Sequence, residues 1–248
     1  MSEPHDRTTI DEWHRHADWW QREFTDGADA EYMEQIIPML TAALPGGGRV
    51  LDVGCGDGQV ARAAAATGLD VIGLDVVAAQ LLVARSRGGT PAYIRGATTR
   101  LPVADASVDA VVACLVLEHV SDLDAVLGEF SRALRVGGRA LVVLNHPILQ
   151  TPGSGWIDDQ MVDPPEQYWR IGPYLPEATT QEEVDDGVVI TFHHRPLSRY
   201  VNAAAAHGLH LVQMGEPAPP PEYLEQYWAF DAADTIPRLI LLEFRRAD

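Results

Sequence analysis

The chain of 248 residues contains no lysine, and arginine supplies all 18 of its basic side chains against 36 acidic ones, which gives a formal net charge of −18. Nucleic acids and anionic membranes are bound through clusters of basic side chains, so neither is an expected partner. The missing lysine also excludes a phosphate-binding P-loop, whose glycines must be followed by lysine and then by serine or threonine.

Cysteine is nearly as scarce. Only Cys55 and Cys114 occur, each in an apolar, strand-like stretch and without CxxC spacing. This usage favours a reducing, cytoplasmic location over a disulfide framework. A signal peptide or a membrane span is not expected either, because the N-terminal residues are polar and no apolar run is long enough to cross a bilayer. No metal site is predicted.

The residues after Gly48 alternate between short apolar runs and helical segments. The apolar runs read RVLDVG, LDVIGLD, AYIRG, VDAVVACLV and RALVVLN, and LHLVQMGE and PRLILLEFRR follow near the C-terminus. Apolar strands that alternate with helices are typical of a parallel sheet covered on both faces. The sequence therefore predicts an α/β fold with a doubly wound, mostly parallel seven-stranded sheet. The helix before the fifth strand is predicted to have Ser121 as its N-cap.

The first apolar run leads into a glycine-rich loop, VLDVGCGDGQV. Three glycines alternate along it: Gly54, Gly56 and Gly58. A dinucleotide-binding loop has the pattern GxGxxG, but Gln59 stands at the third glycine position. Asp52 and Asp57 bring negative charge to the loop, which suits a positively charged ligand better than a pyrophosphate. S-adenosylmethionine (SAM), which carries a sulfonium, an ammonium and an adenosine, is such a ligand.

The second apolar run ends in Asp75. An ionised carboxylate at this point can accept hydrogen bonds from both hydroxyls of a ribose. NAD carries the same sugar, so Asp75 does not separate the two cofactors. An NAD-dependent oxidoreductase stays open here, with the glycine spacing and Asp52 counting against it.

Four stretches resemble, in order, the successive motifs of class I SAM-dependent methyltransferases: VLDVGCGDG, VIGLDV, RGATTRLPVADASVDAVVACLVLEHV and EFSRALRVGGRALVVL. The resemblance is closest to the small-molecule group that includes the ubiquinone/menaquinone-type enzymes. HHRPLSRYVNAAAAHGLHLVQMGEP resembles the last helix and strand of that group. The resemblance implies a Rossmann-like fold, SAM as cofactor, S-adenosylhomocysteine (SAH) as product, and a small-molecule acceptor methylated at oxygen or nitrogen.

The resemblance also implies a set of cofactor-binding residues, matched position by position: Asp52, Gly54, Cys55, Gly56, Asp75, Val76, Gln80, Thr98 and Cys114. Asp52 would hold the amino end of the methionine, and Asp75 would bind the ribose. The family usually has an acidic residue, which reads the adenine amino group, where this chain has Ala97. Thr98 or its backbone would take over that contact.

One methyltransferase domain is predicted over residues 1–248. It comprises an N-terminal helical lid (1–45), a SAM-binding core (46–145), a cap on the acceptor side (146–195), and the last helix with strands six and seven (196–248). The cap is expected because residues 146–195 break the alternation and are rich in proline, glycine and aromatics, and long segments of this kind are usually functional. Its aromatic rings are predicted to wall the acceptor: Trp156, Tyr168 and Trp169.

Two histidines border the cap. His146 follows the fifth strand, and His194 precedes the last helix. Ligands bind at the carboxyl ends of parallel strands, and histidine suits general-base chemistry near neutral pH. We predict that His146 and His194 are catalytic, one taking the acceptor's proton and the other orienting the acceptor, with His119 as the alternative base. A carboxylate acceptor would need no base, and a SAM-binding protein without catalysis remains a further alternative. The oligomeric state is not indicated.

Overall fold

The computed structural model describes residues 4–25, 28–226 and 233–248. The N-terminal helices are α1 (Pro4–Arg15), α2 (Ala17–Phe24), a π-helical turn (Tyr32–Ile36) and α3 (Ile37–Ala43). The core follows as β1 (Arg49–Val53), α4 (Gln59–Ala66), β2 (Asp70–Asp75), α5 (Ala78–Ser86), β3 (Ala92–Arg95), β4 (Val108–Cys114), a 3-10 turn (Leu117–His119), α6 (Leu123–Ala133) and β5 (Leu134–Asn145).

The remaining elements fall into two groups. The predicted cap contains β6 (Gly155–Asp159), β7 (Glu166–Arg170), β8 (Ala178–Asp185) and β9 (Val188–His194). The C-terminal part contains α7 (Leu197–Ala206), β10 (Leu209–Gly215), α8 (Pro221–Gln226), a 3-10 turn (Ala233–Thr235) and β11 (Leu239–Arg246). Within the described ranges, no helix combines the length and the apolarity that a bilayer crossing requires.

Seven strands form one sheet in the order β10-β11-β5-β4-β1-β2-β3. Strands β1 to β5 run parallel, and β11 runs antiparallel to β5 and β10. The predicted doubly wound, mostly parallel seven-stranded sheet is therefore confirmed. Its central strands are buried along nearly their whole length, with one apolar cluster on each face of the sheet. The chain winds outward in opposite directions from β1 and β4, and the crevice at such a reversal is where open α/β sheets bind ligands.

The predicted N-cap of α6 is one residue off. The helix begins at Leu123, and the side chain of Asp122 accepts a hydrogen bond from Ala125 N at 2.9 Å. The carbonyl of Ser121 instead accepts from the Arg195 guanidinium at 2.9 Å, so Ser121 belongs to the preceding loop. Serine and aspartate are both common N-caps, so the residue type alone does not distinguish Ser121 from Asp122.

The predicted cap consists of two antiparallel hairpins, β6–β7 and β8–β9, rather than irregular chain. A buried carboxylate fastens the second hairpin to the N-terminal helices. Glu12 on α1 accepts hydrogen bonds from Thr191 N (2.9 Å), Thr191 Oγ1 (3.0 Å) and Gln181 Nε2 (2.9 Å). Trp13 and Trp19 pack against the apolar face of β9 beside it. The N-terminal helices and the cap therefore form one joined cover.

Replacing Glu12 with alanine should loosen this cover. The change leaves the buried Thr191 N–H without its acceptor, so the free energy of unfolding should fall by about 1–3 kcal/mol. Amide exchange of residues 188–194 should rise in parallel. Asp11→Ala, an exposed neighbour on α1, is the matched control and should change neither quantity measurably. Equal urea midpoints for the two variants would show that Glu12 does not fasten the cover.

Candidate active site

A cavity of about 190 Å³ lies against the reversal point of the sheet, at the carboxyl ends of β1, β2 and β4. All nine residues predicted to bind the cofactor line it: Asp52, Gly54, Cys55, Gly56, Asp75, Val76, Gln80, Thr98 and Cys114. The N-terminal helices close the other side with side chains that the motifs do not predict: Thr9, Ile10, Trp13, Trp20 and Tyr32. We call this space the cofactor cavity.

Position 54, the first glycine of the loop, must be glycine for steric reasons. Gly54 has φ +72°, a conformation that L side chains rarely adopt, and a Cβ built there would lie 2.4 Å from Val116 Cγ2. The amides of Gly54 and Cys55 both donate to the carbonyl of Leu74, at 2.7 and 2.9 Å. The loop is thus held against the end of β2, which brings its backbone to the edge of the cofactor cavity.

Asp75 also has a structural role that the sequence motifs do not indicate. Its Oδ2 accepts from Gly56 N and its Oδ1 from Val77 N, each at 2.8 Å. The carboxylate therefore ties the glycine loop to the end of β2. Each carboxylate oxygen can accept more than one hydrogen bond, so this arrangement still allows contact with two ribose hydroxyls.

Asp52 is a buried carboxylate of the cofactor cavity with a raised pKa. Its side chain is 2% exposed, and its Oδ2 has no hydrogen-bond partner among the described residues. Burial, with the neighbouring charge of Asp75 as the next contribution, raises the pKa of Asp52 from 3.8 to about 7. A buried carboxylate that has one oxygen without a partner, beside a cavity, is stabilised by a cation, and the ammonium of SAM fits this requirement.

The two cysteines of the cofactor cavity are packing residues. Burial raises the pKa of Cys55 well above its usual value, and it raises that of Cys114 as well. Both thiols therefore stay protonated near neutral pH and are poor nucleophiles. Cys114 Sγ lies 3.9 Å from the Tyr32 hydroxyl, a contact that ties the end of β4 to the helical cover.

The side of the cavity where the adenine is predicted to lie is lined by Val76, Val77, Gln80 and residues 97–99. Gln80 is buried, and its Oε1 accepts from Gln21 Nε2 at 2.8 Å, so α2 contacts this side of the cavity. Ala97 supplies no acidic group, whereas Thr98 lies in the lining beside it. The position of Thr98 agrees with its predicted role, which remains a prediction.

A second cavity, of about 340 Å³, lies beside the first. The two cavities share a wall of five residues: Trp13, Trp20, Tyr32, Leu115 and His119. Two of the three predicted acceptor-binding residues, Trp156 and Trp169, line the second cavity. Tyr168 does not, and it is 43% exposed, because neighbouring residues on β7 point to opposite faces. We call this space the acceptor cavity.

Neither His146 nor His194 lines either cavity in the described part of the chain. His146 Nδ1 accepts from Ile148 N at 3.2 Å, and its Nε2 donates to Glu216 at 2.9 Å. His194 Nε2 donates to the carbonyl of Tyr174 at 2.8 Å, and its Nδ1 is buried. Both rings are oriented by contacts outside the cavities, so their placement does not support the catalytic roles predicted from their sequence positions.

His119 is the histidine that the fold brings to the site. It lines both cavities, and its Nδ1 lies 2.9 Å from the carbonyl oxygen of Thr191. A carbonyl only accepts, so Nδ1 carries the proton and Nε2 keeps the lone pair. Burial lowers the pKa of His119 from 6.5 to about 4, which leaves the ring neutral near pH 7.

Comparison with known proteins agrees with this site. Residues 51–142 match a family model described as a methyltransferase domain. A SAM-dependent methyltransferase from Mesorhizobium loti has a similar structure, with a TM-score of 0.74 and 29% identity, covering 89% of this chain and 99% of that one.

Two curated relatives match the core of the chain. The malonyl-[acyl-carrier protein] O-methyltransferase of Serratia marcescens is 37% identical over 118 residues, which is 47% of this chain and 45% of that protein. The demethylmenaquinone methyltransferase of Renibacterium salmoninarum is 39% identical over 114 residues, 46% of this chain and 48% of that protein. The chain thus spans about half the length of these curated relatives.

The fold and the glycine-loop site define a SAM-binding Rossmann-like domain. With the family match over residues 51–142 and the similar solved structure, they show a domain of the class I SAM-dependent methyltransferase type, for which SAM is the cofactor. The NAD-dependent oxidoreductase left open by Asp75 is thereby set aside.

Asp52→Asn should make the protein more stable and a weaker binder of SAM. The native-state pKa of about 7 lies above the unfolded value of 3.8, so ionised Asp52 destabilises the fold increasingly from pH 4 to 7 and fully above pH 7. The variant should gain on the order of 1–3 kcal/mol at pH 8, and this gain should vanish near pH 4. SAM affinity should fall at least tenfold, because the ammonium loses its counter-charge.

Asp70→Asn provides the comparison for this prediction. It makes the same chemical change at an exposed carboxylate at the start of β2, away from the cavity. Urea unfolding at pH 4 and 8 and calorimetric titration with SAM measure both effects. If Asp52→Asn behaves like Asp70→Asn in both assays, Asp52 is neither strained nor the ammonium ligand.

Proposed function

We propose that this chain transfers the methyl group of SAM to a small-molecule acceptor held in the acceptor cavity, at nitrogen or oxygen. The observation that carries the proposal is the wall shared by the two cavities. One side of this wall faces the buried Asp52 and the glycine loop, and the other faces an aromatic chamber under the cap. Cavities that adjoin at shared lining residues place a cofactor and an acceptor next to each other, as direct transfer requires.

In this proposal the cofactor cavity holds SAM by charge and shape. Asp52 faces the ammonium, Asp75 binds the ribose, and residues 97–99 lie beside the adenine. Bound SAM supplies a methyl group on a sulfonium: the acceptor's lone pair forms a bond to the methyl carbon, the electrons of the carbon–sulfur bond stay on sulfur, and the acceptor loses a proton. The chain's own contribution is alignment of the acceptor and exclusion of water by the joined cover.

We infer that His119, rather than His146 or His194, takes the acceptor's proton. Its Nε2 is the nitrogen with the lone pair, and the ring lies in the shared wall. The ring is also fixed in place, because Trp13 and Phe192 contact it at centroid distances of 4.9 and 4.6 Å. With Nδ1 held by a carbonyl, the neutral imidazole presents Nε2 as the proton acceptor, and its lowered pKa makes it a weak base that passes the proton on to solvent.

Calorimetric titration with SAM, SAH and NAD tests the cofactor half of the proposal. SAM and SAH should bind in the micromolar range or more tightly, and NAD should not bind. SAM consumption should then be followed with a panel of small amines, phenols and acids. Tight binding of SAM without turnover of any acceptor would point to the non-catalytic alternative.

Three histidine variants distinguish His119 as the base from His146 and His194, which the sequence predicts to be catalytic. His119→Gln should keep SAM affinity and lose about a hundredfold to ten-thousandfold in turnover, because glutamine offers no base. His146→Ala and His194→Ala should retain turnover. Circular dichroism checks the fold of each variant. Full activity in His119→Gln together with lost activity in His146→Ala or His194→Ala would restore the sequence-based assignment.

A further inference from the structure

The charged groups that line the acceptor cavity are unbalanced. The described lining contains three carboxylates, Asp29, Glu31 and Glu182, and one guanidinium, that of Arg238. Arg238 pairs with Glu31 through two contacts, Nε–Oε1 at 2.7 Å and Nη2–Oε2 at 3.0 Å. Because the charges of Glu31 and Arg238 cancel, Asp29 and Glu182 give the chamber a net negative charge.

Two amide side chains of the chamber each use one N–H group on a carboxylate. Gln150 Nε2 donates to Glu182 Oε2 at 3.2 Å, and Asn145 Nδ2 donates to Glu118 Oε1 at 3.1 Å. Each amide keeps its oxygen as an acceptor and one further N–H as a donor. The indole N–H of Trp169 is likewise committed, to the carbonyl of Ile148 at 3.3 Å.

The walls of the chamber add a second attraction for positive charge. Trp20 stacks on Phe24 with a centroid distance of 4.4 Å, and Trp13 and Trp19 meet Trp20 edge-on at 5.4 and 6.2 Å. All four rings line the acceptor cavity. Aromatic faces attract ammonium groups, and most strongly where water is excluded.

We propose that the acceptor is an organic amine, attached to an apolar or flat aromatic body and protonated in solution. This assignment rests on the function proposed above and narrows it to N-methylation. A carboxylate acceptor would be repelled by Asp29 and Glu182. An alcohol or phenol could donate one hydrogen bond, but its uncharged hydroxyl would not be attracted by the excess negative charge or by the faces of the aromatic rings.

The chemistry of an amine fits the residues present. The ammonium first loses a proton, which His119 Nε2 accepts and passes to solvent, and this exposes the nitrogen lone pair. That lone pair forms the bond to the methyl carbon, the carbon–sulfur electrons stay on sulfur, and the product leaves as the methylated ammonium. Turnover should therefore rise with pH toward the pKa of the amine, since only the neutral amine reacts.

Two matched ligand series test the proposal on protein saturated with SAH: 2-phenylethylamine, 2-phenylethanol and 3-phenylpropanoate, and tryptamine, tryptophol and indole-3-propanoate. Calorimetry should show at least one amine binding tenfold or more tightly than its alcohol and acid counterparts. Glu182→Gln should weaken amine binding roughly fivefold and leave the alcohol unchanged. Glu183→Gln, an exposed neighbour on β8 that lies outside the lining, should change neither.

The outcomes are distinct. Amines that bind no better than their alcohols or acids, or that do not bind at all, overturn the amine assignment while SAH binding preserves the cofactor site. An equal loss of amine affinity in Glu182→Gln and Glu183→Gln would also overturn it, because Glu183 lies outside the cavity and the loss would then not come from the cavity lining. Failure of SAH itself to bind would instead overturn the proposed function.

Discussion

The buried carboxylate of Asp52, whose Oδ2 has no hydrogen-bond partner among the described residues, is the constraint on which the site depends. It lies beside a second buried carboxylate, Asp75, which accepts from Gly56 N of the glycine loop with one oxygen and from Val77 N with the other. Two negative charges in a region shielded from water are costly for the fold, and the cost is relieved when a cation occupies the cavity. The same arrangement that weakens the protein without ligand therefore selects a sulfonium and ammonium cofactor over a dinucleotide.

The cover over the sheet depends on a second buried carboxylate system. Glu12 fastens α1 to the β8–β9 hairpin and thereby brings the tryptophans of the N-terminal helices against the cap. Thr191, which donates to Glu12, also accepts from His119 through its carbonyl. One strand thus orients both the cover and the proposed base.

The sheet and the cofactor cavity could be predicted because their signals are local. Apolar runs that alternate with helices specify the strands, and Asp52 and Asp75 end two of those strands next to the glycine loop. The acceptor side could not be predicted in the same way. The positions of His146 and His194 at element ends predict catalytic roles, but their rings are oriented by Glu216 and Tyr174, which no local pattern indicates. The role of His119 likewise depends on Thr191, 72 positions away along the chain.

Proton release on SAM binding tests the central claim about Asp52 most directly. Because the pKa of Asp52 is raised to about 7, most of this residue is protonated at pH 6.5 before the cofactor binds. Calorimetry in buffers of different ionisation enthalpy should then show release of roughly 0.8 proton per SAM bound at pH 6.5, and none in Asp52→Asn. Binding with no proton release in the unaltered protein, or equal release in the variant, would contradict the account.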